Sequence, residues 1–243
     1  CNGKTLFAEA QVAISELQLE KFETFAQMLI EKNRVMNLTA ITDADEVTVK
    51  HFIDSLTCYD ETFFAAGASV LDLGTGAGFP GIPLAIMHDD LKITFFDSLQ
   101  KRLNFLRDVT TAIGYKNASF LHGRAEEEAH KKEFREFFDV VTARAVARLP
   151  VLAEWALPYV KIGGTFIALK GAAYEEELKN AVNALKILGA EVESVQMKSL
   201  PGLTDIRAVI YIKKVKESPF EYPRKPKVAA KNPLRSEERR VGK

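Results

Sequence analysis

The residues with the clearest chemical potential lie between positions 70 and 81: Val70-Leu71-Asp72-Leu73-Gly74-Thr75-Gly76-Ala77-Gly78-Phe79-Pro80-Gly81. Glycines at Gly74, Gly76 and Gly78 let a backbone turn tightly and come close to a ligand. A helix starting behind such a turn offers unpaired N–H groups. Gly76, Gly78 and Gly81 fit the spacing of a dinucleotide-binding turn, a common pattern that does not by itself specify a ligand. Asp72 opposes that reading, because a carboxylate two residues before the first glycine would repel a pyrophosphate. A purely structural turn is poorly served by so many glycines and prolines. A third ligand class fits better. S-adenosylmethionine has an amino group, a sulfonium and a ribose but no phosphate. Asp72, ending the first strand, would attract the cationic end directly or through water. Asp97, 23 residues past Gly74 and followed by Ser98, would accept bonds from the ribose hydroxyls. Both acids then fall at the carboxyl edge of the strands, where open α/β sheets bind their ligands. Each acid taken alone is also a common helix cap.

The acceptor leaves its own marks. Methylation of an exocyclic base amine calls for an Asn/Asp-Pro-Pro-aromatic turn after the fourth strand, and methylation of a pyrimidine carbon calls for a cysteine nucleophile. The corresponding segment here is Asp139-Val140-Val141-Thr142-Ala143-Arg144-Ala145-Val146-Ala147-Arg148, with neither feature. Arginines occupy that rim, and arginine holds phosphates or base edges in bidentate fashion. An acceptor with a free lone pair, such as purine N7, needs no general base and leaves catalysis to positioning and electrostatics. Arg144, Lys170 and Arg207 are the candidates for orienting it, in that order. Arg148 reads equally as a solvated residue. His51, Asp54 and Ser55 share one helical face at i, i+3 and i+4, as a catalytic cluster or as a network tying the N-terminal helices to the sheet. His88, His122 and His130 show no metal spacing, and the expectation is no metal.

Positioning these residues requires alternating strands and helices. Apolar runs at Ser69–Leu73, Ile93–Phe96, Ser119–Leu121, Phe138–Thr142 and Thr165–Leu169 predict strands. Helical segments are expected at Gly81–Met87, Lys101–Ile113, Ala125–Phe134 and Pro150–Val160. This alternation predicts a mostly parallel, Rossmann-like sheet. One more helix at Glu175–Leu188 and two strands at Glu191–Met197 and Ala208–Ile212, turned by Pro201-Gly202, predict an antiparallel closing pair. Residues 1–66 read as a helical extension, with Leu17, Phe22, Phe25 and Leu29 at helical spacing and a capping box at Ser15 and Gln18. Three segments result: the extension at 1–66, an α/β domain at 67–214 and a basic, proline-containing tail at 215–243.

Composition limits the alternatives. Of 243 residues, 47% are hydrophobic and 27% charged, which excludes a disordered or fibrous chain. No apolar run approaches the ~18 residues of a membrane helix, and the start lacks the pattern of a secretory signal. With only Cys1 and Cys58, a cytoplasmic chain is expected. Formal charge is zero overall, with +7 on residues 213–243 and −7 on the rest. An acidic body with a basic tail suits a polyanionic partner, although a solvated terminus explains the same charge. Residues 236–243 carry no apolar periodicity and no functional weight.

Over residues 15–234 the chain resembles the GidB family, the bacterial small-subunit ribosomal RNA methyltransferases G. The resemblance rests on Asn37-Leu38-Thr39, Lys50-His51-Phe52-Ile53-Asp54-Ser55-Leu56, Asp72 through Pro83, Arg124-Ala125-Glu126, Thr142 through Ala147, Leu169-Lys170-Gly171 and Tyr222-Pro223-Arg224-Lys225-Pro226. It implies a class I methyltransferase fold and transfer from S-adenosylmethionine to N7 of a guanine in 16S ribosomal RNA near the decoding site, by a monomer acting on the RNA or the small subunit. It further implies donor contacts from Gly74, Phe79, Ala125, Glu126 and Arg144. Read from the residues alone, a methyltransferase for a small molecule or a protein, and a non-catalytic dinucleotide-binding regulator, stay open.

Overall fold

A computed structural model describes residues 3–234; Cys1 and the end of the basic tail lie outside the described residues. Helix α1 (Gly3–Glu9) leads into α2 (Glu16–Met36). The Ser15 side chain accepts from the Gln18 N–H while the Gln18 side chain accepts from the Ser15 N–H, the reciprocal cap expected there. A helical stretch follows: α3 (Ala44–Val47), a π-turn at Thr48–Ile53 and α4 (Asp54–Leu56). The α/β part runs β1 (Ser69–Leu73), α5 (Gly81–Met87), β2 (Lys92–Asp97), α6 (Gln100–Ile113), β3 (Ser119–His122), α7 (Ala125–Glu128), β4 (Phe138–Arg144), α8 (Leu149–Ala156), β5 (Val160–Lys170), α9 (Tyr174–Leu188), β6 (Ala190–Lys198) and β7 (Arg207–Lys214). The short helix α10 (Val228–Lys231) lies in the tail.

The seven strands order as β3-β2-β1-β4-β5-β7-β6. The first five run parallel, and β7 is antiparallel to both β5 and β6. This is the mostly parallel sheet with an antiparallel end that the alternation predicts. β1 and β4 are neighbours although β2 and β3 intervene in sequence, so the chain reverses its winding between them. That switch point opens a crevice at their carboxyl ends, the edge carrying Leu73 and Arg144.

One sheet face packs against α2, α5, α6 and the N-terminal helices, with Phe25, Phe52, Val70, Ile82, Ile93 and Leu106 in one continuous core. The other face holds α8 and α9 over Leu71, Val141, Phe166 and Ile210. The extension at 3–56 therefore shares a core with the sheet. Aromatic contacts carry it to the glycine turn: the Phe22 and Phe52 rings lie 4.9 Å apart, Phe25 and Phe52 5.3 Å, and Phe25 and Phe79 5.5 Å.

Two helices are shorter than their patterns suggest. The segment expected at Pro150–Val160 stops at Ala156 and passes through a 3-10 turn (Leu157–Tyr159) into β5, because Pro158 provides no N–H to continue the helical hydrogen bonds. The segment expected at Ala125–Phe134 stops at Glu128. There the Arg135 guanidinium turns back to donate to the Ala129 carbonyl. Residues 215–234 of the tail are packed against the body. The buried Ser218 donates to the Leu188 carbonyl at 2.6 Å, Arg135 donates to the carbonyls of Ser218, Pro219 and Tyr222, and His130 donates to that of Pro223. Arg224 forms an ion pair at 2.6 Å with Glu154, a carboxylate 1% exposed on α8. That charge could not stay buried without a cation, so the fold recruits one from the tail.

Candidate active site

β1 ends in the glycine turn, and Asp72 lies under it. Its Oδ2 accepts from the Thr75 hydroxyl at 2.6 Å and the Gly81 N–H at 2.9 Å, and its Oδ1 accepts from the Thr142 hydroxyl at 3.1 Å. Asp72 is fully buried and lines none of the cavities at this edge. The structure thus places it as the brace of the turn, facing away from the ligand side assigned to it by its position in the chain. Burial pushes its carboxyl up to about 6, against the pull of its three hydrogen bonds. The turn presses directly on this carboxylate: a Cβ on Gly81 would lie 2.6 Å from Asp72 Oδ2 and 2.5 Å from the Phe95 ring. A Cβ on Gly74 would meet Val146 at 2.8 Å. Gly78 is turned inward against Ile82 and Leu106.

Asp97, at the end of β2, does reach the crevice. Its Oδ2 accepts from the Gly76 N–H at 2.9 Å and its Oδ1 from the Leu99 N–H at 2.9 Å, and Arg102 pairs with it at 3.4 Å. These bonds point one carboxylate at the glycine backbone beside an open chamber.

Three chambers run along this edge. The first, about 530 Å³, is lined by Gly74, Asp97, Ser98, Ala125, Glu126 and, across from them, Trp155, Lys227 and Lys231. The second, about 430 Å³, shares Gly74, Asp97, Ser98 and Val146 with the first and adds Gly76, Phe79 and Arg144. The third, about 410 Å³, shares His51, Arg144 and Ala145 with the second and adds Lys50, Asp54, Lys170 and Arg207. Shared walls make them one trough. Of the residues the sequence nominates, Gly74, Gly76, Phe79, Asp97, Ser98, Ala125, Glu126, Arg144, Lys170 and Arg207 line it, whereas Asp72 and Gly78 support it from below.

Arg144 stands where the second and third chambers meet. Its Nη1 donates to the Lys50 carbonyl at 3.1 Å and to Asp54 Oδ2 at 3.0 Å, and its Nη2 donates to His51 Nδ1 at 2.9 Å. Its guanidinium carbon lies 4.8 Å from the centre of the Phe79 ring, a cation–π contact. Arginine only donates, so Nδ1 of His51 must be an unprotonated acceptor. The proton of the neutral ring then sits on Nε2 and goes to Thr39 Oγ1 at 2.7 Å. Burial, then the charge of Arg144, push the imidazole down to about 4. The ring stacks on Phe79 at 4.5 Å. Ser55 is buried and donates to the His51 carbonyl. The His51, Asp54 and Ser55 face is therefore the network joining the N-terminal helices to the sheet. Next to it, Ala145 adopts φ +53, a conformation that alanine rarely takes and that recurs at functional turns.

The other two cations are more constrained than the sequence suggests. Arg207 Nε pairs with Asp54 Oδ1 at 3.2 Å, so Asp54 is forked between two guanidinium groups. Lys170 donates to the Ala147 carbonyl at 2.7 Å and pairs at 2.9 Å with Glu177, which also accepts from the Leu149 N–H. Lys170 thereby stiffens the loop after β4. Arg148 is exposed, with only a 3.9 Å contact to Glu176. Sequence reasoning misses Trp155, Lys227 and Lys231. The tail motif around Arg224 is the available signal, but it does not say where the tail returns.

The fold and trough define a class I S-adenosylmethionine-dependent methyltransferase: a sheet-edge turn packed too closely for a Cβ at Gly74, Gly78 or Gly81, an acid aimed beside it after β2, and an adenosyl-sized chamber past β3. Among solved structures, a SAM-dependent methyltransferase from Methanosarcina mazei matches with TM-score 0.50 at 14% identity, over 64% of this chain and 97% of that one. The [4+2]-cyclase SpnF matches with TM-score 0.52 at 16% identity, over 68% and 82%. At these identities the likeness shows the fold alone. The sequence comparisons go further. The profile of the GidB family, rRNA small subunit methyltransferase G, matches residues 18–206, and the chain belongs to that family. Proteins called ribosomal RNA small subunit methyltransferase G are 51% identical in Lachnoclostridium phytofermentans, over 91% of each chain, and 48% identical in an Exiguobacterium species, over 91% of this chain and 93% of that one. S-adenosylmethionine is accordingly the cofactor, and the residues fit it. The glycine backbone and the Asp97 carboxylate beside it suit a cationic nucleoside better than a diphosphate. Among the described residues, no cluster of His, Cys, Asp and Glu could hold a metal ion, and no helix is long and apolar enough to cross a membrane.

Proposed function

We propose that this chain methylates N7 of a guanine in 16S ribosomal RNA near the decoding site, acting as a monomer in the cytoplasm on the RNA or the small subunit. The observation that carries this reading is the chemistry of the third chamber, which offers no free base. His51 Nδ1 is occupied by Arg144, Asp54 is held between Arg144 and Arg207, and Glu177 is paired with Lys170. Cys58, the cysteine among the described residues, is fully buried, and burial pushes its thiol far above the usual range, so it is no nucleophile. Such a chamber suits an acceptor that already owns a lone pair, as guanine N7 does. The family match and the names of the relatives support small-subunit RNA as the source of that base.

In this mechanism Gly74, Gly76 and Asp97 hold the donor's amino acid and ribose, while Ser98, Ala125 and Glu126 enclose the adenine. When bound, S-adenosylmethionine supplies an electrophilic methyl whose carbon–sulfur bond breaks as the carbon–N7 bond forms, releasing a neutral thioether. Phe79 and His51, stacked on each other, would wall the passage between chambers. Arg144, fixed at the junction of the second and third chambers, would orient the guanine by donating to its O6 edge, a contribution of positioning. No proton has to leave for the transfer itself.

The test incubates the protein with methyl-labelled donor and small subunits from cells lacking this modification, then locates the label by nuclease digestion and mass spectrometry. N7-methylguanosine at one 16S position is expected. Absence of label from the RNA, or label confined to ribosomal proteins, overturns the reading.

A further inference from the structure

The first chamber has a wall its donor does not explain. Adenosine brings no phosphate, yet the side opposite Asp97 and Glu126 carries two ammonium groups, Lys227 and Lys231. Both are exposed, and neither makes an ion pair or side-chain hydrogen bond among the described residues. Trp155 lines the same chamber, and its indole is the one buried side-chain nitrogen without a partner among the described residues. Two ammonium groups without a protein partner among the described residues thus line this chamber beside the Trp155 side chain. Most of the molecule's other cations near the trough are spent: Arg144, Arg207 and Lys170 on Asp54 and Glu177, Arg102 on Asp97, Arg224 on Glu154.

The placement of the two lysines is built. Residues 215–226 cross the body under the grip of Arg135 and His130, and Arg224 is seated on the buried Glu154 while also donating to the Asn232 carbonyl at 2.7 Å. Arg224 therefore fixes α10 from both sides. Lys227, which begins it, is held at φ +73, a left-handed conformation that a lysine adopts only under constraint from its surroundings. Lys227 and Lys231 lie four residues apart, on one side of that turn.

We propose that the wall formed by residues 227–231 grips the ribose–phosphate backbone of the RNA substrate, with Lys227 and Lys231 each taking a phosphate beside the donor chamber. This rests on the RNA reading above and extends it: the RNA spans the trough, with its target base in the third chamber and a neighbouring stretch of backbone across the first. Phosphate neutralisation releases counterions, so each contact adds a definite increment to the salt dependence of binding. The RNA backbone also covers the open side of the chamber holding the adenosyl group, which links the two ligands through this wall.

The test compares wild type, Lys227→Gln/Lys231→Gln and the charge-keeping Lys227→Arg/Lys231→Arg, all as full chains. Binding of 16S RNA is measured by filter retention from low to moderate salt, and binding of adenosylhomocysteine by calorimetry without RNA. The slope of log affinity against log salt is expected to shallow by about 1.5 in the glutamine variant, two contacts of roughly 0.7–0.9 each. The arginine variant should keep the wild-type slope, and adenosylhomocysteine affinity should stay within about twofold in both. An unchanged slope overturns the proposal, as does a loss of adenosylhomocysteine binding at unchanged slope, which would assign the lysines to the donor. An arginine variant that matches the glutamine one also overturns it. Methylation by wild type is scored separately, so this proposal can fail while the RNA reading stands. If wild type binds no 16S RNA, this proposal falls, while labelling of small subunits still decides the RNA reading.

Discussion

Replacing His51 with asparagine separates two properties of the ring that fixes Arg144. The side-chain oxygen of the introduced asparagine falls close to the place of Nδ1 and can still accept from the guanidinium, but an amide does not titrate. In wild type the folded ring sits near 4 against 6.5 in the unfolded chain. The unfolded state therefore binds the proton first, and stability falls as pH drops through 6.5 toward 4. Between pH 7 and pH 5.5 the linkage relation with those two values gives a loss of about 1.2 kcal/mol from this group. Asp72 contributes with the opposite sign over the same range, but it is common to both proteins and cancels in their difference. The groups facing His51, namely Arg144, Thr39, Asp54 and the Lys50 carbonyl, are unchanged in the variant. Urea denaturation of both proteins at the two pH values should show the wild-type advantage shrinking by about 1.2 kcal/mol on acidification. A difference that stays constant would mean that burial and Arg144 do not hold His51 neutral in the folded chain, and the derived tautomer would be wrong. Activity supplies a second check, since His51→Gln puts its acceptor nearer the Nε2 position and should lose turnover that His51→Asn keeps.

Asp72→Asn keeps one oxygen to accept from the Thr75 hydroxyl and the Gly81 N–H, with its amide NH2 donating to the Thr142 oxygen, while removing a charge that burial disfavours. Because the folded carboxyl titrates near 6 against 3.8, the variant should gain about 2 kcal/mol over wild type as pH rises from 4 to 7. Denaturation curves showing a pH-independent difference would contradict that. Arg224→Met strands the Glu154 carboxylate on α8 and should cost about 3–5 kcal/mol, most of it recovered in Arg224→Met/Glu154→Leu. Thermal melts of the three variants decide this, and a single variant as stable as wild type refutes the tail's anchoring role.

The sheet was readable because its parallel strands are continuous apolar runs and its helices are punctuated. Gly81–Met87 begins at the glycine turn and ends before His88 as its pattern indicates. Strand ends were less readable: β4 continues to Arg144 because β5 is there to pair with it. Local spacing placed Asp72 and Asp97 at the ligand edge but could not say which face each takes. The alternation along β1 turns Asp72 under the loop, while Asp97 reaches the trough. The grouping of His51, Asp54 and Ser55 was visible in their spacing. Its meaning depended on Arg144, some ninety residues away in sequence. The charge of the tail was visible too, but not its partner: only the folded chain shows Glu154 buried on a helix with no cation of its own.

The return of the tail also orders events in time. Arg224, Lys227 and Lys231 are among the last of the described residues to be synthesised, yet they neutralise Glu154 and finish one side of the donor chamber. A nascent chain that has completed all seven strands still lacks that wall. The trough therefore lacks one side until residues beyond β7 have been made, and a premature stop just after β7 would yield a protein with its sheet complete and that side open.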